Sequence, residues 1–224
     1  MSLLGLDTST AGAAACVLRA DGAAFEVVPD PNALTVPPAH ARELMPAVAV
    51  VMGRAGLDWP DLDAVAVGVG PGSFTGLRIG VSTARALASA AGMPLRPVSS
   101  LAALAAGIET RGQDVALPLI DAKRGELFAA AYDGATRLWN PFAAPVERVA
   151  ARVREAGFRA LAAGDGSVRF RGVLEEAGIR VAPDGSDAHV VRALHVCRLA
   201  AEAPDEPPAA VLPEYLRDPD AKPQ

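Results

Sequence analysis

The chain has 224 residues, a formal net charge of −5, and 51% hydrophobic but only 4% aromatic residues. That length suits one large domain or two small lobes, with a core of Ala, Val and Leu rather than rings. The acidic balance makes a poor nucleic-acid binder of the chain by itself, because neutralising phosphates needs clustered Lys and Arg.

The N-terminus MSLLGLDTST carries no signal-peptide pattern, and the longest apolar run, LMPAVAVVM at 44–52, is too short to span a bilayer. A soluble cytoplasmic protein without a membrane partner is expected. The two cysteines, Cys16 and Cys197, form neither a metal knuckle nor a redox pair in the sequence, which suits a reducing compartment.

LLGLD (3–7), AAACVLR (13–19) and AAFEVV (23–28) read as three antiparallel strands separated by turn residues. A proline-rich loop fills 29–38, and 40–55 is helical, with Pro46 marking either a kink or the true helix start. AVAVGV (64–69) is a strand, 74–91 a helix and PLRPVS (94–99) a strand. Three strands, helix, strand, helix, strand give a mixed sheet with two crossover helices, the layout of a ribonuclease-H-like lobe.

A second lobe starts near Ser100 with the short helix SLAALAAGI. VALPLIDA (115–122) and ELFAAAYD (126–133) are strands around a Lys123-Arg124-Gly125 turn, and VERVAARVREAG (146–157) is a helix by its apolar spacing. ALAAGDG (160–166) is a strand and turn, FRGVLEEAG (170–178) is helical and IRVAP a strand. Ser186 caps one last helix over 187–203. The expected division is therefore a first lobe over 1–100, onto which the 187–203 helix is free to pack back, a smaller second lobe over 101–186, and a linker and tail over 204–224. No repeat of fixed period is found, although two lobes of related design could hide one.

GVGPGSFTGLRIG at 68–80 invites a phosphate-binding reading. The Walker A template fails for want of a lysine and the right glycine spacing, and the dinucleotide fingerprint fails at Ser73. The amides of Gly72, Ser73 and Phe74 at a helix N-terminus would still favour an anion. Equally, Pro71-Gly72 forms a tight turn with Ser73 as helix cap and no ligand. Asp7, with Thr8 and Ser9 in the following turn, accepts hydrogen bonds from its own turn or, as the family resemblance described below implies, helps place nucleotide phosphates. Gly164-Asp165-Gly166 is the best second-lobe candidate for a contact, and also an ordinary turn.

Gly76, Gly80, Ala84 and Ala88 recur every four residues along the helix that follows. Glycine inside a helix costs about 1 kcal/mol relative to alanine, so this small-residue face needs a packing reason. It lies either on the lobe's own sheet or against another chain. Apolar residues left over on both first-lobe helices point to a partner surface, which assigns Leu44, Val48, Val51, Met52, Gly76, Leu77, Gly80, Ala84 and Ala88 to an interface. His189 and His195 are six apart and face different ways on a helix, His40 starts the first helix, and no metal site is expected.

Several stretches resemble the bacterial TsaB family. GVGPGSFTGLRIG is similar to its signature, and LGLDTST, HARELMP (40–46), AGLDWPDLDAVAVGVG, GMPLRPVSSLAALA, DAKRGELFAAAYDG and LPEYLRDPDA match as well. The likeness runs through 1–133 and returns in the tail; 134–205 match loosely. It implies an α/β fold of two ribonuclease-H-like lobes of the ASKHA type (actin-like ATPase, Hsp70, sugar kinase) with the second lobe reduced. It also implies a non-catalytic scaffold and dimerisation subunit that supports TsaD in forming threonylcarbamoyladenosine beside the tRNA anticodon. TsaD, TsaE and a second copy of the chain are the implied partners, with tRNA met indirectly through the complex. Where the catalytic paralogue has two metal-binding histidines, this chain has Ser100 and Leu104, neither a transition-metal ligand. No catalytic residue and no required cofactor are expected, while weak or interface-borne nucleotide binding stays open. The alternative is a stand-alone ATP-dependent phosphotransferase of the same fold. A ribonuclease-H-like nuclease is disfavoured because the 64–69 strand ends without an acid.

Overall fold

The computed structural model describes residues 1–34, 39–112 and 114–216. The end of the proline-rich loop and the tail beyond 216 lie outside them. The first sheet comprises β1 (Leu3–Asp7), β2 (Ala14–Leu18), β3 (Ala24–Val27), β4 (Ala64–Gly70) and β5 (Leu95–Ser99), in the order β3-β2-β1-β4-β5. β2 runs antiparallel to β1 and β3, while β4 is parallel to both β1 and β5. The central strands β1 and β4 are buried along their whole length, which is why they read as continuous apolar runs rather than alternating ones.

α1 (His40–Ala55) and α2 (Phe74–Ala91) cover one face of this sheet. Each ends on a left-handed glycine, Gly56 and Gly92, whose N–H returns to the last helical carbonyls. Pro46 lies inside α1 rather than at its start. It falls in the second turn and on the exposed side, so the loss of its N–H is tolerated.

The second sheet comprises β6 (Asp114–Lys123), β7 (Glu126–Asp133), β8 (Thr136–Pro145), β9 (Arg159–Ala163) and β10 (Arg180–Val181), in the order β10-β9-β6-β7-β8. Taken from the other edge this is the order of the first sheet, strand for strand. The repeat is one of topology, which is why no fixed period marks it in the sequence. α4 (Val146–Glu155), α5 (Asp165–Arg169) and α6 (Arg171–Glu176) follow in this half. α4 and α6 contribute Val149, Val153 and Leu174 to the core on the outer face of the second sheet.

Two helices cross between the halves. α3 (Ser100–Ala106) follows the first sheet and packs on β6 and β7, while α7 (Ala193–Ala200) follows the second sheet and packs on β1 and β2. Both sit in one cluster that joins Leu3, Cys16 and Ala66 of the first sheet to Ile120, Phe128 and Ala130 of the second. The side chains are small, so burial stabilises this layer chiefly through close approach and the many alanine contacts it allows.

β8 is not legible as a strand in the sequence. It is an edge strand carrying Pro141 and Pro145, and its pairing with β7 is broken by two register shifts. The helix expected over 187–203 is also not continuous. Ser186 caps a single 3-10 turn, Asp187–His189, by accepting the Ala188 N–H, and α7 starts only at Ala193. The break has a cause. His189 is fully buried; its Nδ1 faces the Gly164 N–H at 3.2 Å and its Nε2 faces the Ala182 and Pro183 carbonyls at 3.1 and 3.0 Å. Accepting the Gly164 N–H at Nδ1 leaves Nε2–H as the donor. Arg192 then pairs with Glu26 through Nε and Nη2 at 3.1 and 2.6 Å.

After α7 the chain returns over the first lobe. Glu206 and Leu95 exchange both backbone hydrogen bonds, Val211 is buried, and the Glu214 N–H bonds to the Val69 carbonyl at 2.7 Å.

Candidate functional site

Asp7 ends β1 with its side chain almost wholly buried. Oδ1 accepts from the Ser9 N–H at 2.8 Å and the Ser9 hydroxyl at 2.6 Å, and Oδ2 accepts from the Ser100 hydroxyl at 2.8 Å. Gly68 of β4 closes the fourth side. A Cβ there would overlap Oδ2 and lie 2.8 Å from the Asp7 Cγ and 2.9 Å from the Ser100 Oγ. Burial pushes the Asp7 carboxyl above the ordinary carboxylate range, opposed by the Ser9 and Ser100 hydrogen bonds and by nearby His40. Of the two readings of Asp7, this geometry is that of an acceptor for its own turn.

The glycine loop closes on the same turn. The Ser73 N–H bonds to the Ser9 carbonyl at 2.7 Å, and a Cβ on Gly72 would lie 2.6 Å from the Ser9 Cβ. The Ser73 hydroxyl accepts the Gly76 N–H and caps α2. Of the amides expected to form an anion cradle, that of Ser73 is committed to the Ser9 carbonyl. Thr8 donates to the Gly76 carbonyl at 2.7 Å, and His40 Nε2 meets the Thr10 carbonyl at 2.7 Å. Thr8, Ser9, Thr10 and His40 are all buried.

The interface assignment also needs correction. Leu44, Val48, Val51, Met52, Gly76, Leu77, Gly80, Ala84 and Ala88 are all buried within the chain itself. The two glycines of the small-residue stripe clear space for Thr8, while Ala84 and Ala88 pack in the core against the first sheet. A Cβ on Gly76 would overlap the Thr8 carbonyl and lie 3.0 Å from the His40 ring, and one on Gly80 would overlap the Thr8 hydroxyl. The stripe on the opposite side of α2, Phe74, Arg78, Ser82, Ala86 and Ala90, faces outward, with Met45 and Val50 exposed on α1. Helical period showed which residues share a face, but not which face the chain keeps for itself.

The outer end of α2 carries a cluster that the sequence did not reveal. The Phe74 and Tyr215 rings are 5.1 Å apart, the Arg78 guanidinium lies 4.0 Å from the Phe74 centroid, and Arg78 Nε donates to the Tyr215 hydroxyl at 3.2 Å. Phe74, Leu212, Tyr215 and Leu216 are 36%, 62%, 41% and 38% exposed, large apolar side chains turned to solvent.

In the second lobe Asp121 accepts from Lys123 Nζ at 2.9 Å and from Arg169 at 2.7 Å, and the Asp121 N–H bonds to Asp165 at 3.0 Å. Burial alone would raise Asp121, but the Lys123 and Arg169 hydrogen bonds outweigh it and hold the group below its usual range. Asp165 goes the other way. Loss of solvent, assisted by the Asp121 charge and opposed by the Asp121 N–H, lifts it from 3.8 to about 6. A carboxyl raised in the folded state favours folding below about pH 4, and that contribution is lost as pH rises through 6. Asp165→Asn keeps an acceptor for the Asp121 N–H. It is expected to raise stability at pH 7.5 by up to about 3 kcal/mol and to flatten the pH dependence between about 4 and 6. Urea unfolding of both proteins across pH 4–7.5 checks this.

Among the described residues no group of three or more His, Cys, Asp or Glu side chains is placed to hold a metal, and no helix is long and apolar enough to cross a membrane.

With this geometry established, comparison with known proteins is informative. A family model described as TsaD, tRNA N6-adenosine threonylcarbamoyltransferase, matches residues 34–163, more than half of the chain. The Escherichia coli protein named tRNA threonylcarbamoyladenosine biosynthesis protein TsaB is 37% identical over 136 residues, 59% of this chain and 55% of that protein. A Pseudomonas aeruginosa structure described as YeaZ superposes with a TM-score of 0.76 at 28% identity, covering 96% of this chain and 99% of that one.

The chain belongs to the TsaB family.

An uncharacterized Mycobacterium tuberculosis protein, 34% identical over 99% of this chain and 94% of its own length, extends the likeness along the whole sequence. Against the E. coli TsaB protein, by contrast, the match spans about half of the relative's length. A Thermus thermophilus ROK hexokinase, at TM-score 0.51 and 17% identity, shares the fold alone. The fold is thus the expected mixed α/β architecture of the sugar-kinase type. Ser100, expected from the resemblance not to be a metal ligand, donates its hydroxyl to Asp7.

Proposed function

We propose that the chain is a non-catalytic subunit of tRNA threonylcarbamoyladenosine formation that docks on a TsaD-type partner through the outward faces of α1 and α2. Relatives named for that pathway support the pathway. The observation that carries the accessory role is the closed Asp7 turn. Its carboxylate is occupied by Ser9 and Ser100, sealed by Gly68, and faced by a glycine loop whose Ser73 amide is already bonded. An acid held in this way orders a turn; it has no free oxygen directed at a substrate. On this reading the chain needs no cofactor of its own and acts in the cytoplasm. It also forms a homodimer, works with TsaE, and meets tRNA through its partners, as suits its net charge of −5.

The test is reconstitution with TsaD, TsaE, a threonylcarbamoyl-AMP source and tRNA. Modification is expected to require both this chain and TsaD, and the chain alone is expected neither to modify tRNA nor to turn over ATP. ATP turnover by the isolated chain that disappears in Asp7→Ala would instead make it a phosphotransferase.

A further inference from the structure

Cys16 and Cys197 are 181 residues apart, are the chain's only cysteines, and are both fully buried. The fold brings them together across β1. Cys16 on β2 stands directly opposite Gly5 on β1. A Cβ on Gly5 would lie 2.5 Å from the Cys197 Sγ and 2.8 Å from the Ala193 carbonyl, so the sulfur of α7 occupies the place of the missing side chain. Directly opposed residues in an antiparallel pair have Cβ atoms about 4.5–5.5 Å apart. A sulfur 2.5 Å from the Cβ position of residue 5, and 3.6 Å from the Cys16 carbonyl, is therefore close to the Cys16 side chain. The Cys197 thiol also points to the main chain of both strands, 3.6 Å from the Cys16 carbonyl and 3.8 Å from that of Leu3.

We propose that Cys16 and Cys197 form a dithiol that converts to an intramolecular disulfide by exchange with a low-molecular-weight disulfide, fastening α7 to the first sheet. The thiolate of one cysteine attacks the small disulfide, forms a mixed disulfide and releases one small thiolate. The second cysteine's thiolate then attacks the protein sulfur of that mixed disulfide, closing the Cys16–Cys197 bond and releasing the second small thiolate. Two protein thiols are oxidised, one small disulfide is reduced to two thiols, and the two protons lost from the cysteines end on the released thiols.

In the closed state the hydrogen bond to Cys16 and burial push the Cys197 thiol well above its ordinary range, so it is a poor nucleophile there. The reaction belongs to a locally opened state of α7. That helix is eight residues long, carries exposed Arg198 and Leu199, and is followed by exposed residues 201 and 202. Because α7 lies in the layer joining the two sheets, the bond would hold the two halves in their present arrangement.

The experiment incubates the full-length chain with oxidised glutathione, both in native buffer and in urea below the unfolding transition, followed by removal of urea. The expected product loses two hydrogens in mass, yields a linked Cys16–Cys197 peptide, and melts on the order of 5–15 °C higher, reverting with reductant. Cys16→Ser and Cys197→Ser should each lose the cross-link and the shift while accumulating a glutathione adduct on the remaining thiol in urea. Thiols that stay fully reduced under both conditions, adducts without a cross-link in the unsubstituted chain, or only intermolecular bonds overturn the proposal.

Discussion

Gly68→Ala is expected to cost about 3 kcal/mol or more, the upper range for overpacking a close-packed core. The added methyl would overlap the Asp7 Oδ2. The carboxylate cannot withdraw without breaking hydrogen bonds from Ser9 and Ser100, which would leave buried polar groups unsatisfied. β4 cannot yield easily either, because it is hydrogen-bonded on both sides, to β1 and β5. Gly53→Ala is the matched control. It lies inside α1 with open space where its Cβ would go, so the same added methyl is expected to stabilise by about 0.5–1 kcal/mol. Equilibrium urea unfolding of the two variants beside the parent measures both. If Gly68→Ala unfolds within about 0.5 kcal/mol of the parent, the sealed Asp7 turn is wrong, and with it the reason for denying that acid a catalytic role.

Local patterns made most of the elements legible. The apolar runs at 3–7 and 64–69 read as buried strands, and apolar spacing marked α4. Those signals act over a turn or two of chain, so they locate elements without saying what meets what. The Asp7–Ser100 hydrogen bond spans 93 residues. Asp7 was visible as a candidate and Ser100 as a replaced histidine, but nothing local joined them. Cys16 and Cys197 are further apart still, and lacking a redox spacing they read as unrelated. The Gly76–Ala88 stripe shows the same limit from the other side. Its periodicity is unmistakable, yet the element it accommodates is a turn some 68 residues earlier, so sequence could not separate docking from self-packing. Failures of a second kind came from local signals that tertiary contacts overrode. The helical pattern from Ser186 onward is interrupted where the His189 ring is buried and Arg192 pairs with Glu26, with Val190 and Arg192 in extended conformation.

The corrected stripe changes which variants can test docking. Ala84→Arg would place a guanidinium in the core between α2 and the first sheet, so the loss of TsaD binding it caused would report unfolding. Ala86 is two positions on and exposed. Ala86→Arg is therefore expected to change stability by no more than about 0.5 kcal/mol and to weaken association with TsaD by at least about tenfold, as a bulky charge does in the dry centre of an interface. Modification of tRNA should fall with it, and the sedimenting mass of the free chain should shift toward monomer if the homodimer uses the same face. Tyr215→Ala probes the other end of that surface. It removes the ring packed against Phe74 and the hydroxyl that Arg78 bonds, so it should weaken TsaD binding if the tail belongs to the docking surface and leave it unchanged if the helices act alone. Ala86→Arg that folds and still binds TsaD at full strength would remove α2 from the interface altogether. The exposed α1 residues Met45 and Val50 and the tail residues Leu212, Tyr215 and Leu216 would then be the remaining candidates.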